Sequence, residues 1–286
     1  MIEGQPSQTA LATAALRAAH RLHDRPVVFD DPLARDLTSD EWRAQLDAGA
    51  MPRVVAQLGL RPIQGQLVGR ARHVDDRLDR AIADAGAAQV VLLGAGLDSL
   101  AWRRPSLGVR VIELDHPATQ AWKRERLAEL ALDGAVDVAL VPVDFEREAV
   151  DAALARAGFD RGAPAFFAWM GVVGYLAPAS RRATLAGVAR CAAAGSRVVF
   201  DYPAALEALD DDTRAIARRV DEGTASLGEA RIGRPHPAAL ESEARELGFD
   251  VVEHLGPADL AARYFAGRDD DLGPNPETRI VELALR

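Results

Sequence analysis

The pattern of apolar and polar positions changes character near residue 89 of this 286-residue chain. Before that point apolar residues recur at helical spacing. In QTALATAALRAAHRL, Leu11, Ala15, Ala18 and Leu22 fall on one face of a helix. Asp30-Asp31-Pro32 reads as a turn that opens another short helix. A further helix is expected over 66–85, stopped by Gly86 where helices commonly end on a glycine. From residue 89 short continuous apolar runs take over, at 89–93, 109–114, 138–143, 165–169 and 197–200. Helical segments alternate with them, one starting near Pro117 and one over 178–194, ended by Gly195. Apolar runs alternating with helices indicate βαβ units and a parallel sheet buried on both faces. A helix over 237–247 then carries Leu240, Ala244 and Leu247 on one face, and two more strands are expected at 249–254 and 279–285. The stretch between them, with Gly267 to Pro276, is rich in Gly, Asp and Pro and reads as a loop. The length fits one large α/β domain with additions, or two small ones.

Composition narrows the chemistry. Hydrophobic residues make up 49% and aromatic ones only 5%, so the core is mostly aliphatic. The 34 basic residues stand against 43 acids, and only Lys123 among them is a lysine. Its context, AWKRERL, is no phosphate loop, and a Schiff-base lysine would have to be Lys123. The single cysteine, Cys191, excludes an intrachain disulfide framework and a multi-cysteine zinc site, and no metal is expected. A net charge of -9 argues against a nucleic-acid partner. No apolar run of about 18 residues suggests a membrane span, and MIEGQPSQTA lacks the order of a signal peptide. The expected location is cytoplasmic.

In open α/β sheets ligands bind beyond the carboxyl ends of the strands. The first run ends in Gly94-Ala95-Gly96-Leu97-Asp98, where glycines permit a tight turn and close backbone approach. The second ends in Glu113-Leu114-Asp115. Asp115 follows Gly96 by 19 residues, near the distance at which an acid reaches a ribose hydroxyl pair. The third is followed by Asp144-Phe145, a carboxylate for an exocyclic amine and an aromatic edge for stacking. The three ends together suggest a nucleoside-containing cofactor. Taken singly, each has a plainer use: Asp98 or Glu113 as a helix cap or solvated acid, Asp115 as cap of the helix near Pro117.

A dinucleotide fold prefers a third glycine where Ser99 stands, and Asp98 would repel a pyrophosphate at the helix start. Both weigh against an NAD-dependent oxidoreductase. S-adenosylmethionine has no phosphate and carries two cationic groups, which suits an acid in the loop.

The segments RARHVDD from Arg70, QVVLLGAGLDSLAWR, VIELDHPATQAWKRERL, VPVDFE and AWMGVVGYL resemble the leucine carboxyl methyltransferase family, in particular its bacterial branch of S-adenosylmethionine-dependent O-methyltransferases. The stretches LRAAHRLHDRPVVFDDPLA and RIGRPHPAALESEARELGFDVVEHLGPADLAARYFAGR are similar too, so the resemblance spans nearly the whole chain. It implies an α/β, class I methyltransferase, Rossmann-like seven-stranded sheet whose last strand is antiparallel. It also implies a helical cap over 1–80, a core over 81–203 and 236–286, and a lid insertion over 204–235. By motif, Arg70 would pair with the cofactor carboxylate, Gly94, Ala95 and Gly96 would face its methionine part with Asp98 nearby, and Asp115 would hold the ribose. Asp144 and Phe145 would hold the adenine, and Trp169 and Gly171 would line the reacting end. Lys123 matches a family lysine and is expected on the surface or in helix packing. The family pattern W-E-G-V-T-x-Y-L departs here to Trp169, Met170, Gly171, Val172, Val173, Gly174, Tyr175, Leu176, so an expected acid is a methionine. Leu100 replaces a frequent arginine.

Methyl transfer is an in-line displacement that rests on alignment and water exclusion. A carboxylate acceptor needs no base, whereas a hydroxyl benefits from one. Tyr175 and Tyr202 stand after the fourth and fifth strands, where an acceptor should lie. His236 and His116 are base candidates, or exposed loop histidines. The expected activity is S-adenosylmethionine-dependent O-methylation of a small-molecule carboxylate or hydroxyl, plausibly polyketide-type, with S-adenosylhomocysteine as product. Methylation of a protein C-terminus is the second choice within the family, and Met170 and Leu100 keep open a member with altered or lost transfer.

Overall fold

Seven short stretches rich in aliphatic and aromatic residues pair edge to edge in the computed structural model, which describes residues 4–286. Helices come first: α1 (Gln8–His23), α2 (Ala34–Leu37), α3 (Asp40–Asp47), α4 (Met51–Gln57) and α5 (Arg61–Ala85). α1 begins on Ser7, whose hydroxyl accepts from the Ala10 N–H, and buries Leu11, Ala14, Ala15 and Ala18. α5 starts five residues before the expected boundary, with Pro62 in its first turn, and ends on left-handed Gly86 (φ 63°).

The sheet follows: β1 (Gln89–Leu93), α6 (Leu100–Arg103), β2 (Arg110–Asp115), α7 (Pro117–Glu129), β3 (Val138–Pro142), α8 (Val150–Arg156), β4 (Ala165–Trp169), α9 (Pro178–Cys191) and β5 (Arg197–Pro203). After β5 come α10 (Asp211–Ser226), α11 (Pro237–Glu246), β6 (Phe249–Leu255), α12 (Pro257–Tyr264) and β7 (Thr278–Leu285). The strand order is β3-β2-β1-β4-β5-β7-β6. β1 to β5 pair in parallel, and β7 runs antiparallel to both β5 and β6. This is the seven-stranded α/β sheet with an antiparallel last strand that the sequence led us to expect.

Alternation along each strand divides the core into two layers. Val91, Leu93, Phe167 and Phe200 point to the α8, α9 and α11 side, whereas Val90, Leu92, Phe166 and Val199 point to the α5 and α12 side. Phe166 and Phe167, adjacent and both fully buried, show the two faces at one point of β4. Each contributes about 1.5–3 kcal/mol of burial. Among the described residues no helix is long and apolar enough to cross a membrane.

Candidate active site

The carboxyl ends of β3, β2, β1, β4 and β5 lie side by side in that order. Chain order reverses between β1 and β4, the switch point at which open α/β sheets form a ligand crevice. After β1 the chain folds back over β2, because the Gly94 and Ala95 N–H groups both donate to the Leu114 carbonyl, at 2.8 and 3.1 Å. Gly94 is required there twice over: its φ is +69°, and a Cβ would overlap Cγ2 of Val172. Gly96 is also left-handed, and the methyl of Ala10 from α1 stands 3.5 Å from where its Cβ would be.

Asp115 closes this turn onto β2. Its carboxylate accepts from the Gly96 N–H and, at 2.6 Å, from the His116 N–H. Burial raises its pKa above the usual value, while these two N–H groups, Lys123 and His116 oppose the rise. Asp115 does not cap α7. His116 does, with Nδ1 accepting from the Ala118 N–H at 3.3 Å, so this ring is occupied at a helix start. Asp98 accepts from the Leu100 N–H at 2.7 Å where α6 begins. Two residues before Asp115, Glu113 pairs with Lys123, and both side chains are 1% exposed. Lys123 is therefore packed inside the protein and away from its surface, with its ammonium 4.9 Å from the centre of the Trp102 ring. Burial pushes the Glu113 carboxyl up, Lys123 pulls it back, and Asp98 and Asp115 add to the rise. Three carboxylates thus lie close together at the ends of β1 and β2, and Lys123 binds one of them, Glu113. Next in the row, Asp144 accepts from the Glu146 N–H at 3.0 Å, and Phe145 is half-buried against the α8 and α9 side.

Across the switch point the sequence reading missed a residue. Asp201 in β5 is buried and binds two predicted site residues at once. It accepts from the Gly171 N–H at 2.6 Å and from Arg70 at 2.8 Å. The Arg70 guanidinium lies against left-handed Gly171 (φ +72°), 2.7 Å from where a Cβ would be. The acid expected at Met170 is absent, and Met170 packs among apolar residues on the α5 side. Asp201 places a carboxylate on the neighbouring residue instead. The signal was present: an acid near the end of an apolar run, as at Asp115. Trp169 turns away from the row into the core, fully buried, its ring 5.5 Å from Phe200 and its indole N–H unpartnered.

A cover lies over these ends, made by the start of α1 and by Glu229, a residue inside the span 204–235 expected as a lid. Glu229, after α10, accepts from the Ser7 hydroxyl at 3.0 Å, the Gln8 N–H at 2.8 Å and the Thr9 hydroxyl. The Ser7 N–H donates to Thr119 of α7 at 3.0 Å. An acid at the start of α1 also suits the helix dipole. Tyr175 hydrogen-bonds Thr9 beneath this cover, and burial raises its pKa, with Arg231 and Arg70 among the charges around it. The other two predicted residues are elsewhere. The Tyr202 hydroxyl is joined to His254 Nε2 at 2.7 Å, and His254 Nδ1 to Glu241 at 2.7 Å, on the α11 side. His236 is exposed at the start of α11, and its side chain caps nothing. The structure therefore gathers Arg70, Gly94, Ala95, Gly96, Asp98, Asp115, Asp144, Phe145, Gly171 and Tyr175 along one row and leaves the Tyr202 hydroxyl and His236 off it. No cluster of three His, Cys, Asp or Glu suited to a metal occurs among the described residues.

A model of the leucine carboxyl methyltransferase family matches residues 10–189. The chain belongs to the leucine carboxyl methyltransferase family. Among its relatives in that family, a candidate S-adenosyl-L-methionine-dependent methyltransferase of Mycolicibacterium paratuberculosis is 34% identical, covering 96% of this chain and 91% of its own length. The protein YktD of Bacillus subtilis, also a candidate S-adenosyl-L-methionine-dependent methyltransferase, is 28% identical, covering 95% of each. In structure, a candidate methyltransferase of Thermobifida fusca aligns over 100% of this chain and 96% of its own, with a TM-score of 0.61 at 16% identity. That likeness establishes a class I methyltransferase sheet.

Proposed function

We propose that the protein is an S-adenosylmethionine-dependent O-methyltransferase acting on a carboxylate or hydroxyl of a small molecule. The observation that carries the proposal is the row of strand ends at the switch point, where carboxylates and left-handed glycines outnumber cations. Such a donor set fits a nucleoside with a cationic tail. The half-buried acid Asp98 in the β1 turn disfavours a dinucleotide, and Arg17 and Arg103 are paired with Asp31 and Asp75. Family membership supports the reaction type, and a polyketide-type acceptor extends it.

Bound there, S-adenosylmethionine supplies an electrophilic methyl group on a sulfonium. Asp115, already fixed by two N–H groups, has lone pairs left to accept from ribose hydroxyls. Asp144 and Phe145 flank the place for the base. Gly94 to Gly96 allow close backbone approach to the amino-acid part. Arg70 and Asp201 present opposite charges at the end of β4, matched to a carboxylate and an ammonium. Tyr175 beneath the cover is the acceptor-orienting hydroxyl we favour, because the Tyr202 hydroxyl is engaged by His254 and His236 is remote. Residues 6–10 and Glu229 would exclude water over the reacting atoms, which strengthens every charge interaction inside. A carboxylate acceptor needs no proton removed. A hydroxyl acceptor loses its proton to solvent as the bond forms.

Calorimetric titration with S-adenosylmethionine, followed by mass detection of a 14-dalton increment on candidate acids and phenols, tests this. Saturable binding and a methylated product are expected. A folded protein that binds no S-adenosylmethionine overturns the assignment, and binding without product on any acceptor would favour a member that has lost transfer.

A further inference from the structure

The outer side of α5 takes no part in the row of strand ends, yet it forms one wall of a cleft of about 480 Å³. The other walls are α12 and residues 26–28. That volume lies in the range of small-molecule sites. In a chain with a net charge of -9, the cleft presents four arginines, Arg72, Arg77, Arg80 and Arg263, and a single carboxylate, Asp76. Arg72, Asp76 and Arg80 recur every four residues along α5 and so form one stripe, which Arg263 faces from α12.

Neutralisation within the cleft is incomplete. Asp76 accepts from Arg72 at 2.9 Å and from the Tyr264 hydroxyl at 2.9 Å. Glu253 holds Arg263 through two bonds, at 2.6 and 3.0 Å. Arg77 pairs with Glu282, but its buried Nε–H has no acceptor. Arg80 is exposed and makes no ion pair among the described residues. An unpaired guanidinium is left on α5, at Arg80, opposite that of Arg263 on α12. The apolar counterpart is close by, in Pro26, Val27, Val28 and the Tyr264 ring.

We propose that this cleft binds a small organic phosphate, a phosphate monoester on an aromatic or aliphatic body. The free Arg80 guanidinium, with the remaining N–H groups of Arg72 beside it and of Arg263 across the cleft, suits a tetrahedral acceptor with three terminal oxygens, whereas a carboxylate offers two oxygens in one plane. The apolar wall at residues 26–28 receives the body of the molecule. The site is separate from the methyl-transfer site, and its ligand need be neither cofactor nor acceptor.

The test is calorimetric titration of the full chain with phenyl phosphate, with inorganic phosphate and benzoate in parallel. Arg80→Gln and the double variant Arg72→Gln/Arg80→Gln follow. Arg80 has no partner to lose and Arg72 is half exposed, so both variants should remain folded, which circular dichroism checks. Phenyl phosphate should saturate one site at least about tenfold more tightly than inorganic phosphate or benzoate. Arg80→Gln should weaken it about fivefold or more, the double variant further, and added salt should weaken it in the parent. S-adenosylmethionine titrations should be unchanged in both variants. Absence of saturable phenyl phosphate binding overturns the proposal, as does undiminished affinity in the double variant. Benzoate binding as tightly would overturn the phosphate assignment, and inorganic phosphate binding as tightly would overturn the organic body.

Discussion

Replacing Lys123 by methionine probes the charge balance beneath the glycine turn. Lys123 and Glu113 are each 1% exposed, and Lys123 is the one ammonium near three carboxylates. Methionine keeps most of the buried chain and its packing on Trp102 but leaves Glu113 with no partner for either oxygen, since Oε1 has none already. Breaking a buried pair from one side costs about 3–5 kcal/mol, because the remaining charge stays desolvated. The loss must depend on pH. Burial holds the Glu113 carboxyl above its ordinary value, and Lys123 is the largest influence opposing it, so the variant raises that carboxyl further. A folded-state pKa above the unfolded one means the folded protein binds the extra proton, and stability falls as pH rises through that window. Urea denaturation followed by circular dichroism should therefore show a larger loss near about pH 8 than near about pH 5. Glu113→Leu/Lys123→Met removes both charges and should recover most of the loss. Equal losses at both pH values, or a double variant no more stable than the single one, would refute the reasoning.

Asp115→Ala should weaken S-adenosylmethionine binding at least about tenfold, about 1.4 kcal/mol, by calorimetry; an unchanged affinity would place the ribose elsewhere. Glu229→Ala removes the acceptor of three hydrogen bonds from Ser7, Gln8 and Thr9. It should cost about 1–3 kcal/mol and speed limited proteolysis near the start of α1, and a cleavage rate equal to the parent's would show that other contacts hold this segment. His73 is fully buried, and burial lowers its pKa to about 4. It is kept neutral in the fold, so stability should fall by about 3 kcal/mol as pH drops from the unfolded value near 6.5 towards 4. His73→Gln should flatten that part of the pH profile, and a profile with the same slope would assign the proton uptake to other groups.

Much of the sheet was legible because its strands are buried on both faces and so read as unbroken apolar runs. β1 and β4 coincide with the runs at 89–93 and 165–169. β5 was read too short, at 197–200, because Asp201 and Tyr202 interrupt the apolar run. Both are buried nonetheless, Asp201 satisfied by Arg70 and Gly171 and Tyr202 by His254. That error hid Asp201, which the rule that selected Asp115 would otherwise have found. Short helices such as α3, α4 and α8, with seven or eight residues, carry too few turns for a periodic signal. α9 stops at Cys191, three residues before the expected end, because Ala192 is extended (ψ 150°). Glu229 could not be found from the sequence at all. Its role depends on residues 220 or more positions away, brought to it only by the folded chain.

The order of strands has a consequence for synthesis. β7, the last of the seven in sequence, sits between β5 and β6 and is, among the described residues, the one strand beside β6. Until residues 278–285 have been made, β5 has an unpaired edge of buried-type residues and β6 has no sheet to join. From the completion of β5 at Pro203 until β7 is made, a nascent chain therefore carries this open strand edge, the kind of edge that recruits strands from other chains. β7 closes it by pairing with both strands, and Glu282 on it meets Arg77 of α5.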